Sequence, residues 1–327
     1  MPIKSWPRPI LVTGAHRSGT TWVGRMLCLS KEAGYIDEPF NRLRVPGWLP
    51  KPVPYWYHYV HRFNEGEYLE AMARILTWRY PWREHLRTVS QQGGLRRMLR
   101  DAAEAARHRR AARLPLIKDP LALFSAPWMA DRLGMRVVVL VRHPAAFASS
   151  LKRLRWHFDF RNWTEQPQLM RDWLRGYAAS IEQAAREPNQ FDILDEAILL
   201  WNAIYSTVQE WRKQRPDFVF IRYEALAEDP VQGMRWLYHR LGLHFTPQVA
   251  RAIARMNSSD QPGEVPPTEP LRIERNSRAA KSTWLTRLDS TEIGRVKAGT
   301  YEVARHFYRA ADWPEVIPFP TARRHKL

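Results

Sequence analysis

The chain has one cysteine, Cys28, in 327 residues. A lone thiol excludes an intrachain disulfide framework and any metal site built from several cysteines. The 11 histidines are scattered, without a spacing such as His-Glu-x-x-His that would put two on one helix face. No run of 18 apolar residues occurs, so no helix is expected to span a membrane. Internal repeats and long flexible linkers are also missing. Acidic residues are comparatively few: 33 Asp and Glu against 51 Lys and Arg, a formal charge of +18. That excess favours anionic partners, whether a nucleotide with several phosphates, a polyanionic polymer or an acidic membrane surface. Met1–Pro7 carries no signal-peptide pattern. The expectation is a complete cytoplasmic protein, at most peripheral at a membrane, with a trimmed catalytic domain as the less favoured alternative.

What is present is a hydrophobic content of 45%, enough for one large α/β domain. The most informative stretch is Gly14-Ala-His-Arg-Ser-Gly-Thr-Thr-Trp-Val23, which follows the apolar Ile10-Leu11-Val12. A strand feeding a glycine-containing turn and then a helix start is an anion cradle. Its backbone N–H groups converge and the helix dipole adds to the attraction. The pattern is close to the nucleoside-triphosphate loop Gly-x-x-x-x-Gly-Lys-[Ser/Thr], with one departure. Thr20 stands where that loop has its lysine, and the cation is Arg17, inside the loop. The departure argues against ATP or GTP chemistry, as does the lack of an obvious Mg²⁺ carboxylate after a second strand. A kinase of a small metabolite is therefore the weaker alternative. A non-enzymatic polyanion binder is another, but it leaves the placement of Arg17, Glu38, Lys118 and Arg142 unexplained.

Arg17-Ser-Gly-Thr-Thr-Trp22 resembles the 5′-phosphosulfate loop of sulfotransferases that use 3′-phosphoadenosine 5′-phosphosulfate (PAPS). The resemblance implies that Arg17, Ser18, Gly19, Thr20 and Thr21 hold the phosphosulfate. It gives Trp22 two roles, adenine stacking or core packing. Met135-Arg-Val-Val-Val-Leu-Val141 reads as a buried parallel strand ending at Arg142. An Arg at a strand end with a Ser eight residues on, Ser150, resembles the family's 3′-phosphate motif. Charge-assisted bonds from such a pair suit a phosphate. Arg222-Tyr-Glu resembles the segment whose Tyr contacts the nucleotide, here Tyr223. Arg278-Ala-Ala-Lys-Ser-Thr-Trp284 resembles the basic flap over the nucleotide, with Lys281 and Ser282 as the candidates and Arg278 a weaker one. PAPS is the implied co-substrate, and no metal is expected.

Short strands at Ile10–Thr13, Gly34–Ile36, Leu116–Lys118, Arg136–Val141 and Phe218–Ile221 alternate with helical segments. This predicts a mainly parallel sheet with helices on both faces, an α/β fold of the nucleotide-loop type, over a single domain of residues 1–327. Residues 41–113 are expected to form a helical, aromatic and basic insertion over the active-site mouth. Its Trp48, Tyr55, Trp56, Tyr57 and Tyr59 suit sugar faces, and the arginines from Arg96 to Arg113 suit acidic groups or an acidic membrane.

Sulfuryl transfer needs a base for the acceptor proton and cations for the leaving phosphate. Glu38, in Ile36-Asp-Glu-Pro-Phe-Asn41, resembles the Glu-Pro segment of carbohydrate sulfotransferases and is the candidate base, with Asp37 as competitor. Lys118, in Lys118-Asp-Pro120, resembles a segment of tyrosylprotein sulfotransferases whose lysine stabilises the transferring group. Pro120 stands where the small-molecule cytosolic branch has its His base, which shifts that role to Glu38. The expected catalytic set is Glu38, Arg17 and Lys118. A glycan or glycolipid hydroxyl is the expected acceptor, with peptide Tyr left open. No specific nucleic acid is expected, and the oligomeric state is not legible.

Overall fold

The computed structural model describes residues 8–86, 94–263 and 274–314. Met1–Pro7, read above for a leader, and residues 87–93 of the insertion lie outside them. Five strands form one parallel sheet: β1 (Ile10–Gly14), β2 (Ala33–Asp37), β3 (Leu114–Lys118), β4 (Arg136–Val141) and β5 (Val219–Arg222). Their order is β2-β3-β1-β4-β5. Each expected strand is present, within one or two residues at its ends.

The strands form because they are short apolar runs that can be buried on both faces. Alternate side chains serve opposite layers. Leu11, Ile36, Ile117, Val137 and Val139 join one apolar layer, with the helices Pro144–Leu154 and Ile193–Gln214. Ile10, Val12, Leu116, Val138 and Leu140 join the other, with the helices Thr20–Leu27 and Pro230–Arg240. Cys28, the lone cysteine, immediately follows the helix Thr20–Leu27 and is half-buried. In a doubly covered parallel sheet, ligands bind beyond the carboxyl ends of the strands. Here β1 is central, between β3 and β4, so its terminal loop sits where the flanking strand ends can reach it.

Residues 41–113 correct one expectation. Trp48, Val53, Tyr57, Val60, Met72, Ile75 and Trp78 are buried in the same apolar layer as the sheet. Trp48 and Tyr57 therefore do not offer a sugar-binding face, whereas Tyr55, Trp56 and Tyr59 remain half-buried. The basic segment is the helix Gly94–Arg110. It buries the stripe Gly94, Met98, Asp101, Ala105 and His108 and turns Arg96, Arg97, Arg100, Arg107, Arg109 and Arg110 outward.

Candidate active site

The loop after β1 turns through Gly14 (φ 145°), Arg17 (φ 65°) and Gly19 (φ 95°). Both glycines are required by space as well as by backbone angle. A Cβ on Gly14 would lie 2.5 Å from the Leu140 carbonyl oxygen, and one on Gly19 would lie 2.6 Å from the Tyr223 ring. Gly19 caps the helix Thr20–Leu27 without any side-chain cap. Other helices begin on a capping Asp, such as those after Asp192, Asp229 and Asp289. The first-turn N–H groups of this helix thus lack the partner that a cap would give and are available to an anion.

Arg17 is the hub of the site. Its Nε donates to Ser150 Oγ at 3.1 Å, and Arg142 donates to the Arg17 carbonyl at 2.6 Å. Burial, with Arg142, Arg153 and Arg275 nearby, lowers Arg17 to about 10, so it stays charged at neutral pH. Arg142 lies over the Tyr223 ring at 5.0 Å. Arg275 covers both Trp22 and Tyr223, at 5.4 and 5.3 Å. Trp22 is 2% exposed and donates to Asn257 Oδ1 at 2.9 Å. Several buried polar atoms around this loop have no hydrogen-bond partner among the described residues: Ser18 Oγ, Arg142 Nε, Arg275 Nε and Nη2, and the Tyr223 hydroxyl. Buried donors without partners are costly, and a bound polyanion with hydroxyls would satisfy them.

The second half of the site stands at the ends of β2 and β3. Glu38 is the first residue past β2, with φ 44°, and its N–H donates to the Lys118 carbonyl at 2.9 Å. Lys118, the last residue of β3, is buried, and its Nζ meets Glu38 Oε1 at 2.5 Å and Asp37 Oδ1 at 2.7 Å. Asn41 donates to Glu38 Oε2 at 2.8 Å. Burial would strip the Lys118 proton, but Tyr35, Glu38 and Asp37 raise the ammonium above its ordinary value. Asp37 also accepts from Tyr35 and pairs with Arg44. Burial pushes its carboxyl up, but Lys118 and Arg44 outweigh that and hold it at about 2. Asp119 is fully buried and accepts from the N–H groups of Phe40 (2.6 Å) and Leu121 (2.9 Å). Burial pushes it up to about 8 against those donors. The bond to Phe40 fixes the turn that carries Glu38.

The Asp37 shift has a measurable consequence. A carboxyl lowered on folding contributes stability that is present above its ordinary pKa and lost as pH falls through the folded value. The window runs from about 3.8 down to about 2. Arg44→Met removes one of the two cations and raises the folded Asp37 value. Urea unfolding between pH 2 and 7 should show a shallower dependence in that window for the variant than for the wild type.

Of the remaining sequence candidates, Thr20 is buried and Thr21 half-buried at the helix start. Ser282 donates to the Ala279 carbonyl at 3.3 Å. Lys281 pairs with Glu228, and Arg278 donates to the Glu228 carbonyl at 2.7 Å. These last residues sit on the helix Ser277–Ser282, which packs on the helix Tyr223–Glu228. One residue beside the loop was not singled out in the sequence, and another was placed differently. Arg275 directly precedes Asn276, the cap of that helix, and this helix-start signal would have moved the basic flap upstream. Tyr57 was read as a sugar platform. Its hydroxyl instead accepts from the His16 N–H at 2.9 Å and pairs with His16 Nδ1 at 2.6 Å, tying the cap to the loop. Burial and Arg17 lower His16 to about 3, so its ring is neutral.

Beside His16 lies a pocket of about 200 Å³, walled by Arg42, Trp56, Trp156 and His157 among others. Among the described residues, no three His, Cys, Asp or Glu side chains gather as a metal-binding group, and no helix is long and apolar enough to cross a membrane.

The profile of the sulfotransferase domain family matches residues 7–293, and the chain belongs to that family. It is similar to carbohydrate sulfotransferase 2 of Mus musculus, 27% identical over 220 residues, and to that of Homo sapiens, 26% identical over the same length. Each match covers 62% of this chain but only 38% of the relative. The sulfotransferase domain from the curacin biosynthetic pathway has the same fold, with a TM-score of 0.50 and 16% identity over 92% of this chain and 98% of that one.

Proposed function

We propose that the protein moves a sulfuryl group from PAPS to a hydroxyl of a glycan or glycolipid, with Glu38 as general base. One observation carries the reading. The strand ends gather guanidinium groups and unpartnered buried donors around an uncapped helix start, with a carboxylate–ammonium pair, Glu38–Lys118, on the adjoining strand ends. The first group suits a nucleotide with phosphates at two positions, and the second suits proton removal from an acceptor.

PAPS supplies an activated sulfuryl group and a good leaving phosphate. In the proposed reaction Glu38 takes the acceptor hydroxyl proton as the acceptor oxygen bonds to sulfur. The bond from sulfur to the bridging phosphate oxygen breaks, and its electron pair stays on adenosine 3′,5′-bisphosphate. Arg17 and the first-turn N–H groups hold that phosphate, while Lys118 offsets charge near the sulfuryl oxygens. Arg142, Ser150 and Tyr223 are assigned to the nucleotide, as are Arg275 and Trp22. The carbohydrate sulfotransferase relatives support a sugar acceptor. The Trp56, Trp156 and Arg42 walls of the pocket beside His16 supply apolar faces and a cation for a ring bearing acidic groups.

Titration calorimetry with adenosine 3′,5′-bisphosphate and AMP tests the nucleotide half. The bisphosphate should bind much more tightly. Losing a charge-assisted contact costs about 1.5–3 kcal/mol, so Arg142→Ala should weaken bisphosphate binding by roughly 10- to 150-fold. Equal affinities for the two nucleotides would refute the assignment. A labelled-PAPS transfer screen on glycan and glycolipid acceptors, read by mass spectrometry, tests the other half.

A further inference from the structure

We propose that the outer face of the cap, built on Leu43, Val45, Leu95 and Leu99, docks on an anionic bilayer surface. Leu43 is 75% exposed, Leu99 58%, Val45 49% and Leu95 48%. Such side chains are normally scattered; here two chain segments bring them to one edge. Gly94, at the start of the basic helix, lies so close to Pro46 that a Cβ there would be 2.6 Å from Pro46 Cδ. His85 Nε2 is bonded to the Gly47 carbonyl at 2.9 Å, which brings the neighbouring Leu86 to the same edge. On the helix Gly94–Arg110, the buried stripe faces the core, and Leu95 and Leu99 stand one turn apart on the exposed flank beside it.

Charge complementarity selects the occupant. Arg96 and Arg100 lie beside the two leucines, and Arg107 and Arg110 continue the exposed basic face two to three turns further along the helix. The helix has two acidic residues. Asp101 is buried and bonded by Arg100, and Glu104 is engaged by Arg107 and His108. Apolar side chains rimmed by arginines are the pattern of a helix lying in the headgroup layer of an acidic membrane. A protein partner would need matching carboxylates and a hydrophobic groove, whereas a bilayer supplies both negative charge and an apolar interior. The loop that bears Leu43 and Val45 also bears Glu38 and Asn41, so docking there would bring the reaction site toward lipid-linked acceptors. That last step rests on the sulfuryl-transfer reading; the docking does not.

The test is co-sedimentation of the full chain with vesicles of phosphatidylcholine alone or mixed with phosphatidylserine, alongside bisphosphate calorimetry on the same preparations. The anionic vesicles should bind the protein, the neutral ones much less, and binding should fall as salt shortens the screening length. Arg96→Glu with Arg110→Glu should weaken partitioning by roughly 25-fold or more, at about fivefold per cation lost. Leu95→Ser with Leu99→Ser should weaken it at both low and high salt. Bisphosphate affinity should be unchanged in both variants. Wild-type binding by both variants, no preference for anionic vesicles, or a dimer in light scattering that the leucine variant abolishes would each overturn the proposal. Vesicle binding without bisphosphate binding would instead refute the sulfuryl-transfer reading and leave the docking intact.

Discussion

Glu38→Gln is expected to lower turnover by on the order of 10²-fold or more, the usual contribution of a positioned general base, with bisphosphate affinity nearly unchanged. The amide keeps the size of the side chain and one acceptor oxygen but cannot take a proton. The carboxylate it replaces is held from two sides, by Lys118 at Oε1 and by Asn41 at Oε2. It stands on a residue in left-handed backbone whose N–H is fixed to β3. Asp37 is the control. Its oxygens are taken by Tyr35, Lys118 and Arg44, and its carboxyl is held at about 2, which makes it a weak base. Asp37→Asn should therefore reduce stability more than chemistry. Single-turnover transfer rates, normalised to the folded fraction from thermal unfolding, compare the two variants. A larger loss of rate in Asp37→Asn, with Glu38→Gln still active, would assign the base to Asp37.

The sheet was legible because each strand is an apolar run too short for a helix and closed by a polar or charged residue. Ile10–Gly14 and Arg136–Val141 need no distant partner to be recognised. The loop was legible because its glycines and arginine stand in one short stretch. What fixes Gly19, however, is the Tyr223 ring, which is remote in sequence. Long-range packing of that kind leaves no local trace. The same holds for Arg275, whose partners Trp22 and Tyr223 come from two other segments. Composition marked residues 48–59 as aromatic but could not say which way each ring faces. Tyr57 turns inward at a residue with φ 57° and packs on Phe124, Phe158 and Trp163. The pairing of Lys281 was equally out of reach, because its partner Glu228 lies on a different helix.

Lys118→Met is expected to lower turnover by about 10²–10³-fold, the loss seen when one preorganised electrostatic donor is removed from a reaction centre. Lys118 is 3% exposed, and its ammonium is kept protonated by the carboxylates of Asp37 and Glu38 beside it. A raised lysine contributes stability below its ordinary pKa and loses it only as pH rises through the still higher folded value. The charge is therefore constant across the neutral range. In that state the ammonium holds Glu38 Oε1 and, in the proposed reaction, offsets negative charge close to the acceptor. Methionine preserves the unbranched chain and much of the packing. It leaves two carboxylates without their shared cation, and breaking a buried pair costs about 3–5 kcal/mol. A fall in melting temperature is therefore expected as well, and the chemical effect must be read separately. If Lys118 acts in the reaction, kcat per folded molecule falls while bisphosphate affinity holds, and Lys118→Arg, which keeps the charge, recovers part of the rate. If Lys118 only holds the strand ends together, the melting temperature falls while kcat per folded molecule stays at the wild-type value. That second outcome would remove Lys118 from the catalytic set and leave Arg17 and the helix N-terminus as the electrostatic machinery.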